Sequence, residues 1–287
     1  MLRSLRFAAL FSGLILSASA LAVDIDAASY GYPLTNPFEA TIATTPPDLR
    51  PELPSNDEIN QSDHSITLRP ERAFILPDNF WPVKKLTYRI AEQDKPAPLI
   101  FLIAGTGARY DSSLNEYLKK LYYKAGYNVV QLSSPTSFDF ISAASRFATP
   151  GITKEDAEDM YRVMQAVRAQ HPKLPVTEYY LSGYSLGALD AAFVAHLDET
   201  RRSFNFKKVL LLNPPVNLYT SISNLDKLVQ TEVKGINNST TFYELVLNKL
   251  TRYFQQKGYI DLNDALLYDF QQSKQHLTNE QMAMLIG

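Results

Sequence analysis

The sequence predicts an α/β fold, a mainly parallel sheet covered on both faces by helices, with a helical C-terminal cap or insertion. Three observations carry this. Strand-like apolar runs alternate with helix-spaced segments between residues 85 and 212. One run, Pro98–Ile103 (PLIFLI), is apolar throughout, as strands buried on both faces are. After Pro214-Pro215 the strand pattern stops and only helix-spaced segments follow.

The elements follow in chain order. Arg3 and Arg6 precede the apolar run 7–16, which leads into Ala20-Leu21-Ala22. This is the charged, apolar and cleavable pattern of a secretory signal peptide over residues 1–22, with Val23 as the first mature residue. The run is shorter than the ~20 residues needed to span a bilayer. The expectation is an exported, periplasmic or secreted protein with no integral membrane span once the signal is removed. Residues 23–62 hold Pro33, Pro37, Pro46, Pro47, Pro51 and Pro54 among Thr, Asn and Asp, and read as an extended arm.

A core is expected over residues 63–218. His64–Leu68 and Lys85–Ile90 alternate like strands, and PLIFLI is the next. Gly105-Thr106-Gly107 then leads to a helix over 114–125, with Leu114, Tyr117, Leu118, Leu121 and Tyr122 at helical spacing and Gly126 as its stop. YNVVQL (127–132) is a strand. A helix begins near Thr153, carries Met160, Val163, Met164 and Val167 on one face, and ends before Pro172 and Pro175. Val176–Leu181 is a strand, 186–197 a helix and KVLLL (208–212) a strand. Strands separated by helices imply right-handed crossovers and parallel pairing. Residues 219–287 read as a helical cap, with helices over 220–232, 240–256, 262–274 and 278–286. Tyr243, Leu245, Leu247, Leu250, Tyr253 and Phe254 are candidates to line it.

Composition narrows the function. A formal charge of −2 and a pI near 6.1 provide no basic field for nucleic acid. Without cysteine there is no disulfide, thiol nucleophile or thiolate metal site. The four histidines are scattered with no H-x-x-x-H pair, so no metal site is expected. Nor is a cofactor: Gly105-Thr106-Gly107 is followed by Tyr110 where a dinucleotide fingerprint needs its third glycine, and no P-loop occurs.

The chemistry centres on Gly183-Tyr184-Ser185-Leu186-Gly187, a G-x-S-x-G between a predicted strand and a predicted helix. A serine attacks a carbonyl only when it stands clear of the backbone and a base takes its proton. A sharp strand-to-helix turn meets the first condition, and the glycines let neighbouring backbone pass closely. The oxyanion of a tetrahedral intermediate needs N–H donors; Leu186, following the serine, and Thr106, in the loop after PLIFLI, are the candidates.

With these residues and the order of elements around them, residues 64–218 resemble the α/β-hydrolase family, though Ala104-Gly105 stands where many relatives have His-Gly. The resemblance implies an acyl-transfer enzyme such as an esterase, lipase, thioesterase or peptidase, and the family also includes members without catalysis. It implies a triad in the order serine, acid, histidine, the acid after the seventh strand and the histidine after the eighth. His64 and His171 precede Ser185 in the chain, and His196 is about 16 Å along the following helix. His276 has the right order but polar, helical surroundings, and is the one candidate base. KVLLL ends in Asn213-Pro214-Pro215, where some relatives carry a carboxylate. The expectation is that the sequence stops before the last two strands, with the acid and histidine beyond residue 287. Two readings result: an exported serine hydrolase of a small-molecule or lipid acyl ester or thioester, or a non-catalytic hydrolase-like protein binding a lipid or protein partner.

Overall fold

The computed structural model describes residues 31–68, 85–258 and 266–287. The signal-peptide reading of residues 1–22 and the Phe80-Trp81-Pro82 stretch lie outside them.

Six strands form one sheet: β1 (Gln61–Ile66), β2 (Leu86–Ala91), β3 (Ala97–Ile103), β4 (Asn128–Leu132), β5 (Val176–Tyr184) and β6 (Lys208–Leu212), in the order β1-β2-β4-β3-β5-β6. β1 and β2 form an antiparallel pair and β2 meets β4 antiparallel, while β4, β3, β5 and β6 are parallel to one another. The helices between the parallel strands are α2 (Ser113–Lys124), α3 (Phe138–Ala143), α4 (Thr153–Gln170) and α5 (Leu186–Arg201). They cover both faces of the sheet, as the expected fold class requires.

Period-two alternation along β3 divides the core. Leu99, Phe101 and Ile103 face the stripe Met160, Val163, Met164 and Val167 of α4 and Ala191 and Val194 of α5. Ile100 and Leu102 face Leu118 of α2 with Val129 of β4. All seven residues of β3 but Pro98 are buried, which explains its uninterrupted apolar run.

The reading of residues 23–62 as an extended arm is corrected over one stretch. Pro37–Ala43 form a helix, α1. The Asn36 side chain accepts the Phe38 N–H at 2.9 Å and Pro37 occupies the first helical turn, so local capping overrides the proline-rich composition. The helical C-terminal region consists of α6 (Leu218–Val229), α7 (Ser239–Lys257), α8 (Leu266–Gln271) and α9 (Asn279–Ile286). Here α1 is the organiser: it packs on α8 and α9, and Phe38 and Ile42 join Tyr253, Phe270, Leu277 and Met282 in a second small core. Asn36 Nδ2 also donates to Asn279 Oδ1 at 2.7 Å. Of the residues expected to line a cap, Leu250, Tyr253 and Phe254 are in that small core, whereas Tyr243 and Leu247 are exposed.

Candidate active site

β5 ends at Tyr184 and α5 starts at Leu186, so Ser185 alone makes the turn between them. Its backbone is at φ 53° and ψ −126°, a conformation that a non-glycine residue adopts at a cost of about 1–3 kcal/mol. Three backbone hydrogen bonds fix it there: the Ser185 N–H donates to the Leu212 carbonyl of β6 at 2.9 Å, and its carbonyl accepts the Ala188 N–H at 3.0 Å and the Leu189 N–H at 3.3 Å. The side chain is exposed while Leu186, Gly187 and Ala188 behind it are buried.

The flanking glycines are demanded by close backbone approaches. A methyl on Gly183 would overlap the Gly187 carbonyl, and one on Gly187 would overlap the carbonyls of Ile103 and Ala104. Gly105 lies directly against the turn: a Cβ there would sit 2.6 Å from the Tyr184 ring and 3.2 Å from Ser185 Cβ. The Tyr184 hydroxyl meets Ser112 Oγ, 3.1 Å away, joining the elbow to the start of α2.

Thr106 follows Gly105, and its N–H has no hydrogen-bond partner among the described residues. Leu186, first in α5, has no intrahelical acceptor for its N–H. The structure therefore brings the loop holding Thr106, the start of α5 and Ser185 to the same end of the parallel strands. The positive end of a 16-residue helix thus lies next to an exposed serine, a setting that favours negative charge.

No histidine joins this group. His276 is exposed in the turn between α8 and α9, with Nδ1 2.9 Å from the Ser273 carbonyl oxygen. His196 faces Glu199, Nδ1 to Oε2 at 3.0 Å. At the other end of β5, His171 caps α4, 2.8 Å from the Tyr88 hydroxyl and edge-on to His64. Ser185 Oγ has no hydrogen-bond partner among the described residues. Those residues also contain no group of three or more His, Cys, Asp or Glu fit to hold a metal, and no helix long and apolar enough to cross a membrane.

Sequence reasoning passed over Asp190, one turn into α5. It is buried, its Oδ2 has no partner, and burial reinforced by the charge of Asp156 pushes its carboxyl up to about 8. It therefore holds its proton at neutral pH.

No family model matches the chain, and no curated protein matches it. Solved structures do. The Pyrococcus furiosus esterase Pf2001 is similar over 66% of this chain and 63% of its own, at 16% identity and a TM-score of 0.46. Brefeldin A esterase, a bacterial homologue of human hormone-sensitive lipase, is similar over 68% and 52%, at 16% identity and a TM-score of 0.39. Est1E from Butyrivibrio proteoclasticus is similar over 61% and 58%, at 12% identity and a TM-score of 0.35. The chain spans less than two thirds of the length of each of these proteins.

Proposed function

We propose that the protein is an exported serine hydrolase of the α/β-hydrolase type that cleaves a small-molecule or lipid acyl ester or thioester through an acyl-enzyme on Ser185. The observation that carries this is the strained, exposed Ser185 held between buried glycine contacts, with the Thr106 and Leu186 N–H groups unused beside it. Strain kept in an otherwise ordered turn needs a reason, and presenting a nucleophile is one. In this reading Ser185 Oγ gives up its proton and bonds to the acyl carbonyl carbon, and the oxyanion takes the two N–H bonds; collapse of the tetrahedral intermediate breaks the C–O or C–S bond, and the leaving group takes up that proton and departs as the alcohol or thiol. Water then releases the acid. Export rests on the sequence pattern of residues 1–22.

A second reading has a specific observation behind it. None of the four histidines is hydrogen bonded to Ser185, as a hydrolase-like protein that binds a lipid or protein partner without catalysis would have it. A fluorophosphonate probe separates the two. Covalent labelling that vanishes in Ser185→Ala, together with turnover of short-chain nitrophenyl esters, is expected of the hydrolase. Absence of labelling in the folded protein would favour the binding reading.

A further inference from the structure

The loop that holds Thr106 is short, but it is not loose. Gly105 to Ala108 form a turn closed by the Ala108 N–H on the Gly105 carbonyl at 3.0 Å, with Gly107 at φ +66° in the position where such a turn requires glycine. That bond fixes the Gly105–Thr106 peptide plane, which carries the Thr106 N–H. The next plane is fixed from outside the loop: the Gly107 N–H donates to Thr136 Oγ1 at 2.8 Å. Thr136 is itself held, its Oγ1 sharing a 2.8 Å hydrogen bond with Ser134 Oγ and its N–H donating to the same oxygen at 3.3 Å. Further bonds tie the remainder of the loop to the same segment between β4 and α3. The Ser134 N–H donates to the Ala108 carbonyl at 2.9 Å, and the Tyr110 N–H donates to Ser133 Oγ at 3.0 Å. Ser133 Oγ in turn donates to the buried Asp139 carboxylate at 2.8 Å.

We infer that Thr136 is a positioning residue: by accepting the Gly107 N–H it completes the fixing of both peptide planes of Thr106 and holds the Thr106 N–H in register with Ser185. The inference rests on the acyl-transfer reading of Ser185 and adds to it a side chain that the elbow motif does not contain. An oxyanion donor is effective to the degree that it is aimed before the charge develops. A threonine side chain pinned by Ser134 provides that aim, whereas water would leave the peptide free to turn.

The test compares Thr136→Val, which keeps the shape and removes the acceptor, with Thr136→Ser, which keeps the acceptor and removes the methyl. In the full chain, Val is expected to lower kcat and the Ser185 phosphonylation rate about tenfold or more, with KM within about twofold and the melting temperature near that of the parent. Ser should restore most of the rate. Amide exchange at Gly107 is expected to quicken in Val and not in Ser, a readout independent of turnover. Equal losses in both variants, a loss confined to KM, or unchanged Gly107 exchange in Val would overturn the positioning role. Labelling that persists in Ser185→Ala would instead overturn the nucleophile reading, so the two failures are distinguishable.

Discussion

Gly187, two residues into α5's turn from the serine, presses its bare Cα against the main-chain carbonyls of Ile103 and Ala104, leaving no space for a methyl group. The helix that follows Ser185 thus touches the end of β3 backbone to backbone. Neither side can yield without moving the parallel sheet. Gly187→Ala is expected to cost about 3 kcal/mol or more, seen as a lower urea midpoint or as insoluble protein. Gly105→Ala should be milder in stability because the Tyr184 ring is the nearest obstacle and rings move. A Gly187→Ala midpoint equal to that of the parent would contradict this account of the packing.

Ser185→Gly is expected to do the reverse for stability. Glycine adopts φ 53° without the side-chain penalty that serine bears, and the Ser185 side chain makes no hydrogen bond among the described residues that would be lost. The gain should be about 1 kcal/mol, a rise of roughly 2–4 °C in melting temperature, together with complete loss of probe labelling. Higher stability with lost reactivity is the mark of strain kept for function. A lower melting temperature would mean that the turn is not strained.

Much of this was legible in the sequence, for reasons that differ along the chain. PLIFLI announced itself because a strand covered on both faces has no polar alternation to confuse the period. KVLLL was legible from its apolar run alone, for as the edge strand β6 it is exposed or half-buried at every position. The elbow was legible because Gly183 and Gly187 are the residues that its close approaches demand. α1 was hidden: its seven residues are bracketed by Pro37 and a run of prolines, and the helix is supported by α8 and α9, far along the chain. The six-residue α3 carries little helical period of its own, and the Ser137 hydroxyl that donates to Asp139 Oδ1 at 2.6 Å at its start is seen only in the folded chain. Thr136 carries no local signal, because its partner Gly107 is on another strand's loop. Asp190 was masked by the alanine-rich helix around it. Burial of a carboxyl is a tertiary fact.

Asp190 makes stability fall as pH rises. Its folded pKa of about 8 stands above the ordinary 3.8, so the folded chain keeps a proton that the unfolded chain releases. This contribution is intact below about pH 4 and is lost progressively toward pH 8, at up to about 1.4 kcal/mol per pH unit. Asp190→Asn removes the titration while keeping the shape. Urea unfolding at pH 5 and pH 8 should show the variant gaining on the parent at the higher pH by a few kcal/mol. An identical difference at both pH values would mean that Asp190 is ionised in the folded chain.

His171 acts in the opposite direction at the other end of the sheet. Burial, the neighbouring His64 and Arg168 all lower its pKa from 6.5, while Glu92 opposes them in part. Its Nε2 lies 2.8 Å from the Tyr88 hydroxyl, whose proton goes to Gln170 Oε1 at 2.6 Å, so a neutral ring joins β2 to the end of α4. A lowered folded pKa means that the unfolded chain binds the proton first, so stability is full above about pH 6.5 and declines as pH falls below it. His171→Gln, which cannot titrate, should flatten the stability profile between pH 7 and pH 5 while lowering stability at pH 7 by about 1 kcal/mol through poorer packing. Because this cluster is at the far end of β5 from Ser185, the variant should leave the rate of Ser185 labelling at pH 7 unchanged. A variant that lost labelling in step with stability would place His171 in contact with the Ser185 end of the sheet, against the topology of β5.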